Sequence, residues 1–310
     1  MKMKKKSIFI CLLIIGVTIL SACGPSYEEA QRMSKAERLK RWREDSLALK
    51  IGVTPTLDCL PLYLAEAEGL FDTAQADIRL KRFQAQIDVA EALRKGRIEG
   101  CVTDLVRTRR LAKQGFGIHY FATTNAYWQL VSNRLSRVKN IKQLNDKMLA
   151  MTRYSAPALL ADYAIDSVKL NRDNVFLIQI NDVDLRLRML LNNEMDAMLL
   201  TEPQATAARL YKHKVLMDSR EKGLQLGVIA FSTQGTKDQR RKKQIEVFAK
   251  GYKAACDSLN KNGIKHYAQL LKTIYKLDNK TLNALPDMTF GYGNTPRQKD
   301  VNAADKWLNK

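Results

Sequence analysis

From residue 47 to residue 123 the chain alternates short apolar runs with segments of helical period, and this alternation restricts the fold more than any other feature. Residues 47–53 read as a strand, and a Thr/Pro loop then leads into a helix from Pro61 to about Gly69. Residues 77–84 alternate as a strand, with Ile78, Leu80 and Arg82 on one side. A helix over 87–95 stops at Gly96, the residue type that ends helices in a left-handed turn. Residues 101–105 form a third strand, followed by a basic helix to Gln114 and a strand at 118–123. A β-α-β-α-β order implies a doubly wound, mostly parallel sheet, and so an α/β fold.

A similar unit begins near Trp128. Residues 129–132 and 148–151 read as strands, and 157–170 carry Leu160, Ala164, Ile165 and Val168 at helical spacing. Residues 175–180 read as a buried strand, 183–193 as a strongly amphipathic helix, and 197–200 as a strand running into Thr201-Glu202-Pro203. The chain returns through 225–232 and ends in helices; the first repeats Ile245, Phe248, Tyr252, Ala255 and Leu259 at three or four residues. Passage between the units near 124–130 and again near 222–232 predicts a two-lobed body with a cleft. Lobe I takes residues 47–125 and 228–310, and lobe II takes 126–227.

The start of the chain is of another kind. Lys2, Lys4, Lys5 and Lys6 precede an apolar run of 13 residues, Ile8 to Leu20, which falls short of the about 20 residues that span a bilayer. Leu20-Ser21-Ala22-Cys23 closes the run, the order of a secretory signal peptide with a cysteine at the cut. It resembles the lipobox of bacterial lipoproteins, which implies a signal peptide over 1–22 and a lipidated Cys23 as the first mature residue, palmitate included. Residues 24–46 hold six basic and five acidic side chains and almost nothing to bury, so they read as a charged tether, partly helical at most.

A formal charge of +20 falls to +16 when the four leader lysines go. Nucleic acid is the first partner such a balance suggests, and an exported, lipid-anchored body argues against it. The basic residues are scattered over helical faces except for Arg240-Arg241-Lys242-Lys243, which opens a helix and reads as a solvated face. Cys59, Cys101 and Cys256 lack CxxC spacing and leave open one disulfide or three buried thiols. His119, His213 and His266 are far apart and show no metal-ligand spacing, so neither metal nor cofactor is expected.

Ile51-Gly52-Val53 followed by Pro61-Leu62-Tyr63-Leu64-Ala65-Glu66-Ala67-Glu68-Gly69-Leu70-Phe71 resembles the opening of periplasmic binding proteins for nitrate, alkanesulfonates, taurine and thiamine precursors. Further matches follow in order. Asp88 to Leu93 with Lys95 to Gly100, Asp184 to Leu191 with Asn193 to Ala197, and Glu202-Pro203 resemble the family's helix-to-strand steps and its cleft edge. The resemblance spans about 48–260 and implies a two-lobed periplasmic-binding-protein fold, a small-molecule ligand and an ABC importer permease as partner. The chain departs from the family at Leu144-Asn145-Asp146-Lys147, where a lysine-glycine turn is usual. It departs again at Arg153-Tyr154-Ser155-Ala156-Pro157, where small residues with glycine are usual.

In open α/β lobes ligands bind at the carboxyl ends of strands, beside helix N-termini. That rule selects Thr54, Thr56 and Asp58, then Gln84, then Thr103 and Asp104 in the first lobe. In the second it selects Tyr154 and Ser155, Asn181 and Asp182, and Thr201 and Glu202. Thr56, Asp58, Ser155 and Asp182 are also helix-capping types, each worth about 1 kcal/mol in that role. Carboxylates facing the cleft favour a cationic ligand; carboxylates turned away leave amides for an anion. Tyr127, Trp128 and Tyr154 stack on a flat ring or pack at the hinge. The leading expectation is a monomeric, lipid-anchored solute-binding protein of the cell envelope, not an enzyme, closing on its ligand about a hinge. A ligand-sensing lipoprotein is the second reading; an enzyme with Asp104 or Glu202 as acid or base is the third.

Overall fold

The computed structural model describes residues 34–310. Residues 1–22, Cys23, at which lipidation is expected, and residues 24–33 of the expected tether lie outside the described residues. Lys35–Leu47 forms a first helix, α1. It starts with a reciprocal cap, in which the Ser34 amide donates to Glu37 Oε2 at 2.8 Å and the Glu37 amide donates to Ser34 Oγ at 3.2 Å. Trp42 and Leu39 on this helix are exposed. No helix among the described residues is long and apolar enough to cross a membrane.

Residues 48–310 form a separate compact unit built on two five-stranded sheets. The first contains β1 (Leu49–Val53), β2 (Ile78–Arg82), β3 (Gly100–Asp104), β4 (Ile118–Thr123) and β10 (Gly227–Ser232), in the order β2-β1-β3-β10-β4. The second contains β5 (Gln129–Ser132), β6 (Lys147–Met151), β7 (Val175–Gln179), β8 (Ala197–Leu200) and β9 (Lys214–Asp218), in the order β7-β6-β8-β5-β9. In each sheet one strand runs against its four companions: β10 is antiparallel to β3 and β4, and β5 to β8 and β9. Both reversed strands come straight after a crossing between sheets. They enter from the far end and so must run backwards.

The helices pack as their apolar spacing requires. α2 (Leu60–Ala67) is buried on nearly all sides, and α3 (Gln86–Arg94) buries Val89, Ala92 and Leu93 before Gly96 turns at φ +66°. α4 (Leu105–Lys113) leaves β3 directly, α5 (Ala156–Ser167) follows β6, α6 (Val183–Leu191) follows β7, and α7 (Gln204–Leu210) follows β8. α8 (Gln239–Asn262) lays Phe248, Tyr252, Ala255 and Leu259 on the first sheet, where Phe121 and Phe231 meet Phe248 edge-on at 5.2 and 5.5 Å. Phe248 and Leu259 contribute about 1.5–3 kcal/mol each by such burial. α9 (Ala268–Tyr275), α10 (Asn279–Ala284) and α11 (Gln298–Leu308) complete the chain.

Three expectations need correction. Residues 175–180 were expected to be buried, yet β7 is an edge strand that pairs only with β6 and leaves Phe176 53% exposed. A short apolar run reads alike in the middle and at the edge of a sheet. β9, with three apolar residues between Lys214 and Asp218, was not anticipated. Within the basic run at 240–243, Arg241 is buried, donating to Ala48 O and Gln244 Oε1 and pairing with Glu99 at 3.1 Å. The three cysteines of the described residues are buried and free.

Candidate functional site

The carboxyl ends of β1, β2 and β3 face those of β6, β7 and β8, and the two lobes touch there directly. Leu57 N donates to Glu202 O at 2.9 Å, Gln204 Nε2 to Pro55 O at 3.1 Å and Val183 N to Gln84 O at 3.4 Å. Ala85 and Asp182 form an isolated antiparallel bridge. The crossings also pair with each other: Thr124 N donates to Gly227 O at 2.9 Å, and Ser219 N to Trp128 O at 3.0 Å. Tyr127 and Trp128 are buried at this hinge, and the Arg220 guanidinium lies 3.7 Å from the Tyr127 ring centre.

The twelve residues selected by the strand-end rule are distributed as follows. Thr54 and Thr56 are buried, with their hydroxyls 3.1 Å apart. Asp58 is buried below them and accepts from Thr124 Oγ1 at 3.3 Å; burial pushes its carboxyl above the usual range, against the Thr56 and Thr124 hydrogen bonds. Gln84 is exposed and engages the second lobe through its carbonyl. Ser155 is buried and donates to Thr152 O. Thr201 accepts at its carbonyl from Ala205 N. Glu202 is buried: Oε2 accepts from Thr206 N at 2.9 Å, and Oε1 from Tyr127 Oη at 2.7 Å and Arg209 Nη2 at 2.8 Å. The Glu202–Pro203 peptide is cis. Tyr154 and Asn181 line an open pocket of about 670 Å³ between the lobes.

Asp104 joins the two halves. One oxygen, Oδ1, accepts from Arg107 N at the start of α4 at 3.0 Å and from Ala156 N at the start of α5 at 3.1 Å. Asp182 Oδ1 accepts from Leu185 N at 2.8 Å and so caps α6. At α4, α5, α6 and α7 an amide of the first turn is thus engaged by one of the chain's own carboxylates, whereas α3 starts after Ala85 without a side-chain cap.

Guanidiniums stand beside them. Arg107, on α4, is buried, and its Nε lies 3.3 Å from Asp104 Oδ2 but out of line for a hydrogen bond. Its Nε and Nη2, Asp104 Oδ2 and Thr103 Oγ1 are buried without hydrogen-bond partners, as are Arg186 Nε on α6 and Gln204 Oε1 on α7. Native interiors leave few such atoms, and a group of them marks a place for something else. Arg107 also lines the open pocket, whose first-lobe wall includes Arg94, Arg110 and Leu111. The Arg110 guanidinium lies over the Tyr154 ring at 3.7 Å from its centre, closing one side. Burial pushes Asp104 up and Arg107 down, and each charge opposes the other's shift.

Arg107, Arg186 and Gln204 were not among the expected site residues. Arg107 lies in Arg107-Thr108-Arg109-Arg110 and Arg186 in Leu185-Arg186-Leu187-Arg188. In both stretches a buried arginine has an exposed or half-exposed arginine nearby, so residue type carries no signal. Arg107 alone could have been found, as the third residue of a helix starting at a strand end. Among the described residues no group of three His, Cys, Asp or Glu is placed to hold a metal.

Two sheets joined by two crossings, with a pocket at their facing strand ends, define the periplasmic-binding-protein fold. The NMT1/THI5-like family matches residues 56–262, and the chain belongs to that family. Among solved structures it is similar to the periplasmic aliphatic sulphonate binding protein SsuA from Escherichia coli, at TM-score 0.67 and 18% identity over 85% of this chain and 87% of that one. It is similar to the alkanesulfonate-binding protein SsuA from Xanthomonas axonopodis pv. citri bound to MOPS, at TM-score 0.70 and 16% identity over 85% and 91%. The periplasmic nitrate-binding protein NrtA from Synechocystis PCC 6803 matches at TM-score 0.66 and 13% identity over 77% and 69%. No curated protein matches the sequence.

Proposed function

We propose that this chain is the extracytoplasmic solute-binding component of an ABC-type importer, lipid-anchored through Cys23, which captures a small molecule between its lobes and passes it to the permease. One observation carries the reading: the open pocket between the lobes adjoins buried polar atoms of Thr103, Asp104 and Arg107 that have no partner. A ligand there would touch both lobes, so it would favour the closed arrangement over the open one and shift the population toward closure. The solved relatives include binding proteins for aliphatic sulfonates and for nitrate, which supports a small polar solute for this chain. The leader and the charged tether support a body held off a membrane.

Native mass spectrometry of the protein purified under mild conditions tests the reading: a small molecule should co-purify in a one-to-one complex and raise the melting temperature on return to stripped protein. Absence of any stabilising small molecule from a cell metabolite extract would sink it. Cys23→Ala should abolish incorporation of labelled lipid and release the protein from membranes, while leaving binding of the co-purified molecule unchanged.

A further inference from the structure

Four strands form the edges of the two sheets: β2 and β4 in the first, β7 and β9 in the second. An edge strand shows a row of unpaired N–H and C=O groups, and proteins commonly blunt it with charge. β2 carries Arg79, Lys81 and Arg82, β9 carries Lys214 and Asp218, and β4 carries His119. The end of β4 is also engaged, since Thr123 N donates to Asn294 O at 2.7 Å. β7 reads Val175-Phe176-Leu177-Ile178-Gln179, without an ionisable side chain, a proline or a glycine. It is the one edge strand among the described residues with no ionisable side chain.

This edge is apolar as well as uncharged. Phe176 and Ile178 point to one face of the sheet and are exposed, and Met148 of β6, in register with Phe176, is exposed beside them. Further in on that face, Leu190 of α6 and Ala205 of α7 cover Ala150 and Met198. The margin at β7 stays open.

Such a strand fits a copy of itself. In an antiparallel pair with a twofold axis at Leu177, all of 175–179 is matched, and Phe176 of each copy lies across from Ile178 of the other. That makes two aromatic–β-branched pairs and opposes no like charges within the strand. The same register sets Arg172, in the turn before β7, against Asp182, and Asp173 against Asn181. Arg172 engages Asp162 through Nε, and Asp182 caps α6 through Oδ1, which leaves the guanidinium Nη groups and Asp182 Oδ2 for the contact. An axis one residue to either side leaves an end of the strand facing residues outside it.

We infer that β7 is a self-association edge: two copies of this chain join by antiparallel pairing of 175–179 about a twofold axis at Leu177, fusing their second sheets into one. The inference goes beyond the solute-binding reading and stands without it. Five residues a side make a short seam, so association is weak and depends on concentration.

Sedimentation velocity of the full-length protein in density-matched detergent, over a concentration series, tests the inference. A reversible shift from monomer to dimer is expected across the micromolar range. Phe176→Lys and Ile178→Lys should each weaken dimerisation by at least about tenfold, because each buries an unpaired charge in the seam. Both sites are exposed, so the variants should keep the parent's melting temperature. Arg172→Glu should weaken dimerisation by less, and more at low salt than at high. A second measurement fixes the register. Mixed under mild oxidation, Phe176→Cys and Ile178→Cys proteins should form a disulfide-linked heterodimer faster than either forms a homodimer; Cys59, Cys101 and Cys256 are buried and do not compete. Monomer at every concentration overturns the inference, as does a dimer that tolerates both lysines. A monomer whose binding to anionic vesicles or to another envelope protein is lost in Ile178→Lys overturns the second copy as occupant. Equal cross-linking of like and unlike cysteines overturns the axis at Leu177.

Discussion

Single residues at the strand ends work mostly as internal partners. Asp104 holds amides from both lobes with one oxygen, so Asp104→Ala removes two charge-assisted bonds and leaves Arg107 without its nearby carboxylate. We expect a loss of about 3–5 kcal/mol, read from the urea midpoint. Asp58 is likewise a buried carboxylate. Burial raises its carboxyl above the usual range, so the folded protein keeps that proton to higher pH than the unfolded chain does. Its contribution is therefore most favourable at acid pH and declines as pH rises through the folded value. Asp58→Asn should melt at a higher temperature than the parent at about pH 7, with the advantage shrinking toward about pH 4. An equal difference at both pH values would show that Asp58 does not titrate in that window.

At the scale of elements, the order of strands and helices was legible because each obeys its own periodicity. β4, β5 and β8 fall where the sequence places them, and α3 ends one residue before the expected Lys95. β7 and β9 were misjudged or missed because centre and edge positions depend on which strand pairs with which, and that is non-local. Gly251 on α8 shows how packing overrides propensity. Alanine in a helix interior ordinarily gains about 1 kcal/mol over glycine. Here a Cβ would sit 2.6 Å from the Phe71 ring and 2.8 Å from the Leu70 carbonyl oxygen. The carbonyl is backbone and yields little, so Gly251→Ala should cost about 1–3 kcal/mol by denaturant titration.

For the whole of residues 48–310, α11 ties the two lobes together on the side of α4 and α5. Arg109 grips Asp305 through two bonds of 2.8 Å, and Trp307 Nε1 donates to Asp162 at 2.9 Å. The apolar core is continuous across the lobes, running from Leu105 and Val228 through Trp128 to Leu149 and Leu160, with Ala304 of α11 fully buried against it. Trp307→Ala should lower stability by about 2 kcal/mol and increase amide exchange in α5, where Asp162 would keep Arg172 but lose its bond to α11. Unchanged exchange in α5 would show that α11 does not brace that lobe.

The sequence by itself determined the α/β class, the two repeated units and the two crossings, because hydrophobic periodicity and turn residues are local signals. It also selected Thr103, Asp104, Tyr154 and Asn181, since strand ends are readable from the same periods. Only the tertiary structure decided that Asp104 holds first-turn amides of helices in both lobes and that Arg107 and Arg186 are buried. Asp104 and Ala156, 52 positions apart, meet there through the approach of the two lobes. An arginine's burial depends on that approach rather than on its neighbours in the chain.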